Sequence, residues 1–161
     1  MKIASDSALE VGEIIEAYKY RGVAQGNLLR SQLPMSDEER WQIQKDLETY
    51  IESFPDDIDA VFYLALAHLA EAEHLEGEAG IRESDLEQFR QRARAITDQF
   101  LLRHPNNIRA KLNHASMLVE SDRRLNARPL IAEIENELFN NPASRRDVRT
   151  LIDLISAVMS G

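Results

Sequence analysis

The fold is decided by residues 54 to 70, FPDDIDAVFYLALAHLA. Phe54-Pro55 stops a preceding helix, because proline lacks an amide donor and its ring clashes with the turn before it. Asp56 and Asp57 then offer carboxylates to the bare amides of a new helix, expected to run to about His74. Ala60, Ala65 and Ala67 lack bulk, so another backbone can come close and neighbouring helices can interlock ridge into groove.

Working outward, apolar residues recur at helical spacing, and no stretch alternates cleanly enough to argue for a strand. Ser7 is placed to cap a helix to about Tyr20, ended by Arg21-Gly22. Ser36 with Glu39 forms a capping box that opens a helix burying Trp41, Ile43, Leu47, Tyr50 and Ile51. After the acidic loop EGEAGIRE, Ser84 with Glu87 predicts a second capping box and a helix to about Arg103, stopped by His104-Pro105. Asn106 and Asn107 start a helix through Val119, and SDRR turns the chain. A helix from about Arg128 to Phe139 follows, with Pro129 in its first turn. Asn141-Pro142 is the last stop, and Ser144 caps a helix to about Met159. The expected fold class is all-α, with about seven helices in one domain.

The segment repeats itself. Residues 36 to 60 superimpose on residues 86 to 110 at a constant offset of 50, matching Tyr50 with Phe100, Pro55 with Pro105, Ile58 with Ile108 and Ala60 with Ala110. From Pro105 to Pro142 the interval is 37 residues, near the roughly 34 of a helix-turn-helix repeat.

With Pro55, Ala60, Val61, Leu64, Ala65, Ala67 and His68 in one copy, and Pro105, Ala110, Lys111, His114, Ala115 and Leu118 in the next, the sequence resembles the tetratricopeptide repeat family. The resemblance implies a right-handed superhelix of antiparallel helical hairpins. Its parts would be a degenerate hairpin over 8–54, hairpins over 56–104 and 106–140, and a capping helix over 144–159. Two copies exceed the family length by about 16 residues, and Val61 and Lys111 stand where the family has an aromatic residue.

In that family the first helices of successive repeats line a concave, partner-binding groove. Carried over by position, the groove would present Asp59, Phe62, Tyr63, Leu66 and Leu69 from one copy. Arg109, Leu112, Asn113, Ser116 and Glu120 follow from the next, and Arg146, Arg149, Thr150 and Asp153 from the last helix. Large apolar groups at such positions argue for a partner that buries against them, an apolar peptide or amphipathic helix of another protein, with Arg109 and Arg149 able to pair with its acidic groups. The first helix or the long insertion could also fill the groove itself.

Charge narrows the partners. The formal net charge is −9, which repels a phosphate backbone and weighs against nucleic acid. Residues 56–90 hold ten acidic and two basic side chains, whereas residues 91–161 hold eight acidic and eleven basic. No run of 18 uncharged apolar residues occurs, so no membrane insertion is expected, and an N-terminus without a secretory pattern leads to the expectation of a cytoplasmic protein.

Signals for chemistry are sparse. There is no cysteine, and the intervals between His68, His74, His104 and His114 never match the i, i+4 spacing of a helical metal site. His74 lies among Glu71, Glu73, Glu76 and Glu78, which leaves a weak divalent-metal site there as a minor alternative. His68 and His114 read as satisfied packing histidines. Without a phosphate loop or nucleophile elbow, no catalytic residue, cofactor or metal is assigned. The sequence therefore leads to a protein-binding adaptor or a chaperone-like holder. Two alternatives stay open: a self-assembling subunit, such as a homodimer, and an acidic inhibitor or immunity-type protein that occludes a basic partner.

Overall fold

The structure, a computed structural model, describes residues 36–140 and 145–160. Among them are six α-helices and no strand: α1 (Asp37–Ser53), α2 (Ile58–Leu75), α3 (Glu83–Arg103), α4 (Ile108–Glu120), α5 (Arg124–Asn140) and α6 (Arg145–Met159). The helix expected over 7–20 and the cap expected at Ser144 lie outside the described residues. No described helix is long and apolar enough to cross a membrane.

Local chemistry explains most of the boundaries. Ser36 accepts from the Glu39 amide at 3.3 Å while its own amide donates to the Glu39 carboxylate at 2.8 Å, which closes the capping box on α1. The Asp57 carboxylate accepts from the Asp59 and Ala60 amides, both at 3.2 Å, and from the Tyr50 hydroxyl at 2.9 Å, tying the end of α1 to the start of α2. Asn107 does the same for α4 through the Ala110 amide at 3.1 Å.

The offset of 50 is visible in the backbone. Phe54 closes α1 at φ −130°, ψ 66°, and His104 closes α3 at φ −128°, ψ 58°. The following caps, Asp57 and Asn107, are both extended, and the alanines three residues on, Ala60 and Ala110, are both buried. Each turn also folds an aromatic of the preceding helix under the closing ring, Tyr50 on Phe54 at 4.9 Å and Phe100 on His104 at 4.5 Å.

Each helix packs on its neighbours in the chain, and in addition α2 packs on α4 and α4 on α6. No such skipping contact joins α1 to α3 or α3 to α5, so α2, α4 and α6 form one layer and α1, α3 and α5 the other. Small residues sit where the layers meet. Ala60 and Ala67 pack with Ile43 and Leu47 of α1, Ala65 with Ala93 of α3 and Met117 of α4, and Ala115 and Ala127 in the larger cluster that α4, α5 and α6 share.

Three sequence expectations need correction. Trp41 is 54% exposed, its ring lying under the Lys45 ammonium at 4.6 Å, while Arg40 and Asp46 are buried in its place. The second capping box is not Ser84 with Glu87: α3 begins at Glu83, and the Arg82 amide donates to Asp85 at 3.2 Å. Glu87 is engaged elsewhere, by Arg94 at 2.5 Å and Arg123 at 3.1 Å. Pro129 is inside α5, not in its first turn. Leu125 and Pro129 are both exposed, so water can reach the Leu125 carbonyl that the missing proline amide leaves without a helical donor.

Candidate functional site

The layer of α2, α4 and α6 carries a cavity of about 130 Å³. Helix α2 contributes Asp59, Phe62 and Tyr63, and α4 contributes Arg109, Leu112, Asn113 and Ser116. Asp147 and Thr150 of α6 complete the lining. Spacings of three and four residues keep each set on one helical face. The sequence offset of 50 recurs in the lining. Asp59 and Arg109, Phe62 and Leu112, and Tyr63 and Asn113 are three pairs at the offset of 50.

The fourth pair, Leu66 and Ser116, divides: Ser116 lines the cavity, whereas Leu66 is buried between α2, α3 and α4 with Leu69, Ala93 and Met117. Leu66 and Leu69 are therefore core residues. Arg149 is exposed on α6 and also does not line the cavity, although Asp147 and Thr150 on either side of it do. Leu112 is buried and forms a floor, with Phe62 and Tyr63 half-buried beside it. Sequence reasoning missed Asp147. Its position follows from helical spacing alone, three residues before Thr150 on the same face.

On the rim the Arg109 guanidinium donates to the Asp59 carboxylate at 2.7 Å. Asp147 adds a carboxylate, and Asn113, Ser116 and Thr150 are uncharged and able both to donate and to accept. The apolar trough expected from the sequence is thus a small apolar floor between polar walls, because two of its leucines face the core. At about 130 Å³ the space is below the roughly 300–1,000 Å³ of small-molecule pockets, so it suits a side chain or a short stretch of peptide.

Helix α4 also carries buried Lys111 and partly buried His114. Lys111 donates to Glu133 at 2.6 Å and to Glu137, both on α5. Burial works against its ammonium, but these hydrogen bonds outweigh it and raise the pKa above the ordinary lysine value. His114 meets the Thr97 hydroxyl at 2.9 Å, and burial lowers its pKa against the opposing pull of Asp98.

His68 is the exception to the expectation of satisfied histidines. Its Nδ1 is buried without a hydrogen-bond partner among the described residues. Burial, reinforced by the nearby Arg92 charge, pushes the His68 pKa down to about 4. Around His74, the Nε2 atom is 3.6 Å from Asp37 and 3.5 Å from Glu78, and no group of three metal-ligating side chains occurs among the described residues.

No family model matches the chain, and no curated protein or solved structure is significantly similar to it.

Proposed function

We propose that the chain is a tetratricopeptide-like solenoid that binds a segment of another protein, without catalysis, in the cavity between α2, α4 and α6. The observation that carries this reading is the position of the cavity: three repeat-equivalent residue pairs line it, in the layer whose alternate helices touch. A partner would set one apolar side chain on Phe62, Tyr63 and Leu112, and present its backbone or polar groups to Asn113, Ser116 and Thr150. The mixed lining favours an amphipathic helix or an extended segment over a wholly apolar one.

The alternative of an acidic occluding surface is weakened by the ion pairs around it. Glu71 binds Arg40 at 3.1 Å, Asp56 binds Arg103 at 3.4 Å, Asp59 binds Arg109 at 2.7 Å and Glu87 binds Arg94 at 2.5 Å, so cations from outside residues 56–90 already pair with four of their ten acidic side chains.

Peptides selected from a display library on the wild-type protein test the reading. Phe62→Asp and Asn113→Trp should each weaken the selected peptides about tenfold or more, at unchanged helicity. Titration should also shift the amide resonances of Asn113, Ser116 and Thr150. Full affinity in both variants, or shifts confined to another face, would sink the proposal.

A further inference from the structure

The charged residues of the cavity stand at the starts of its three helices. Asp59 is the second residue of α2, Arg109 the second of α4 and Asp147 the third of α6. The lining therefore holds two carboxylates and one guanidinium, and that guanidinium donates to Asp59 at 2.7 Å. The surplus is one negative charge, and the formal charge of −9 on the whole chain adds to the same field. The sequence points the other way, to Arg109 and Arg149 meeting acidic groups of a partner, but Arg109 is engaged by Asp59 and Arg149 lies outside the lining.

We propose that the segment seated in the cavity carries a lysine or arginine beside its apolar anchor, and that this cation pairs with Asp147. The proposal rests on the cavity being the peptide site and adds the charge that the partner brings. With the anchor on Phe62, Tyr63 and Leu112, a residue three or four positions along a helix, or two along an extended segment, projects from the same side of the ligand. A lysine or arginine there lays its aliphatic stem along the apolar floor and keeps its charged head at the half-buried Asp147. Asn113, Ser116 and Thr150 have oxygens to accept the donors that one carboxylate leaves over. An aspartate or glutamate in the same place meets like charge, so the lining also turns acidic segments away.

Asp147 steadies its own helix as well. It lies in the first turn of α6, where a carboxylate complements the helix macrodipole. That role is blind to the ligand. Losing it would weaken a lysine peptide and its methionine counterpart alike, whereas losing a countercharge weakens only the lysine peptide.

Two selections from one random peptide display library test the proposal. Peptides held by the wild-type protein should be enriched in lysine or arginine at one fixed interval from an apolar residue, and those held by Asp147→Lys in aspartate or glutamate. Replacing the basic residue of a wild-type-selected peptide by methionine should weaken binding about tenfold, and Asp147→Asn should remove most of that difference at unchanged helicity. Added salt should weaken the basic peptide more than the methionine one. Peptides that shift the Asn113 and Ser116 resonances yet show no basic preference overturn the proposal and leave the cavity as the binding site. Equal weakening of both peptides by Asp147→Asn does the same. A library that yields no peptide for the cavity overturns both readings.

Discussion

Arg109 binds Asp59 at 2.7 Å, and the two residues are 50 apart, the offset at which residues 86 to 110 align with residues 36 to 60. A position that is acidic in one aligned segment and basic in the other becomes a cross-helix ion pair once α2 and α4 lie side by side. Both side chains are substantially exposed, at 41% and 52%, so the contact guides alignment more than it stabilises. A double-mutant cycle with Asp59→Ala and Arg109→Ala, read from urea unfolding, should give a coupling below about 1 kcal/mol that shrinks further in high salt.

Lys111 behaves differently because it is buried. With Glu133→Gln and Glu137→Gln together, the ammonium keeps hydrogen-bond acceptors but loses its countercharge, and stability should fall by about 2 kcal/mol. Lys111→Met fills similar space without a charge to desolvate and should stay within about 1 kcal/mol of wild type. The raised lysine pKa also means that the contribution is complete below the ordinary lysine pKa and disappears as alkali passes through the raised one. Lys111→Met should abolish that alkaline loss in pH-dependent melting curves.

How much of this was legible depended on the local signals. The turns FPDD and HPNN, with proline stops and carboxylate or amide caps, fix chain geometry over four residues, and the residues that close the two helices, 50 apart, have nearly the same backbone angles. The groove was only half legible. Helix α2 lies against α1, α3 and α4, so it is apolar on several faces at once, and periodicity alone could not separate Phe62 and Tyr63 from Leu66 and Leu69. Trp41 was misjudged for a related reason. Hydrophobic size says that a residue prefers burial, whereas in α1 the aliphatic stem of Arg40 occupies the inward position and Arg40 reaches Glu71 at 3.1 Å.

His68 should make the protein acid-sensitive. The folded state holds its pKa at about 4, below the unfolded value near 6.5. Between those values the unfolded chain takes up a proton that the native chain refuses, so the stability present above about pH 6.5 is lost as pH falls towards 4. The total is about 3 kcal/mol. In His68→Leu, urea midpoints followed from pH 7 to pH 4 should lose that slope, apart from the fraction due to carboxylates such as Glu39, whose pKa is lowered by hydrogen bonds from Ser36. An unchanged slope would mean that His68 has a proton acceptor or donor in the native protein after all.

The turn between α4 and α5 offers a stabilising change. Asp122 has φ 59°, in the left-handed region that disfavours residues with a Cβ. It stands at the glycine position of a helix-ending motif in which the Arg123 amide donates to the Leu118 carbonyl at 2.8 Å and the Asp122 amide to Val119 at 3.3 Å. Asp122→Gly should raise stability by about 0.5–1 kcal/mol, and Asp122→Val should lower it by more, both read from thermal melts.

Ala115 joins stability to binding. It is fully buried where α4 meets α5 and α6, so the closeness of those helices depends on its having no side chain beyond Cβ. Ala115→Leu adds three carbons to a packed site and should destabilise by about 1–3 kcal/mol, whereas Ala115→Gly should cost about 1 kcal/mol through helix propensity alone. The two variants also part in function. Leucine would wedge α6 from α4 and separate Thr150 from Asn113 and Ser116 across the cavity, weakening a selected peptide even in the fraction that stays folded. Glycine would leave the spacing and the affinity as they are. If both variants bound peptide equally, α6 would have no part in holding it, and the site would have to be built from α2 and α4 alone.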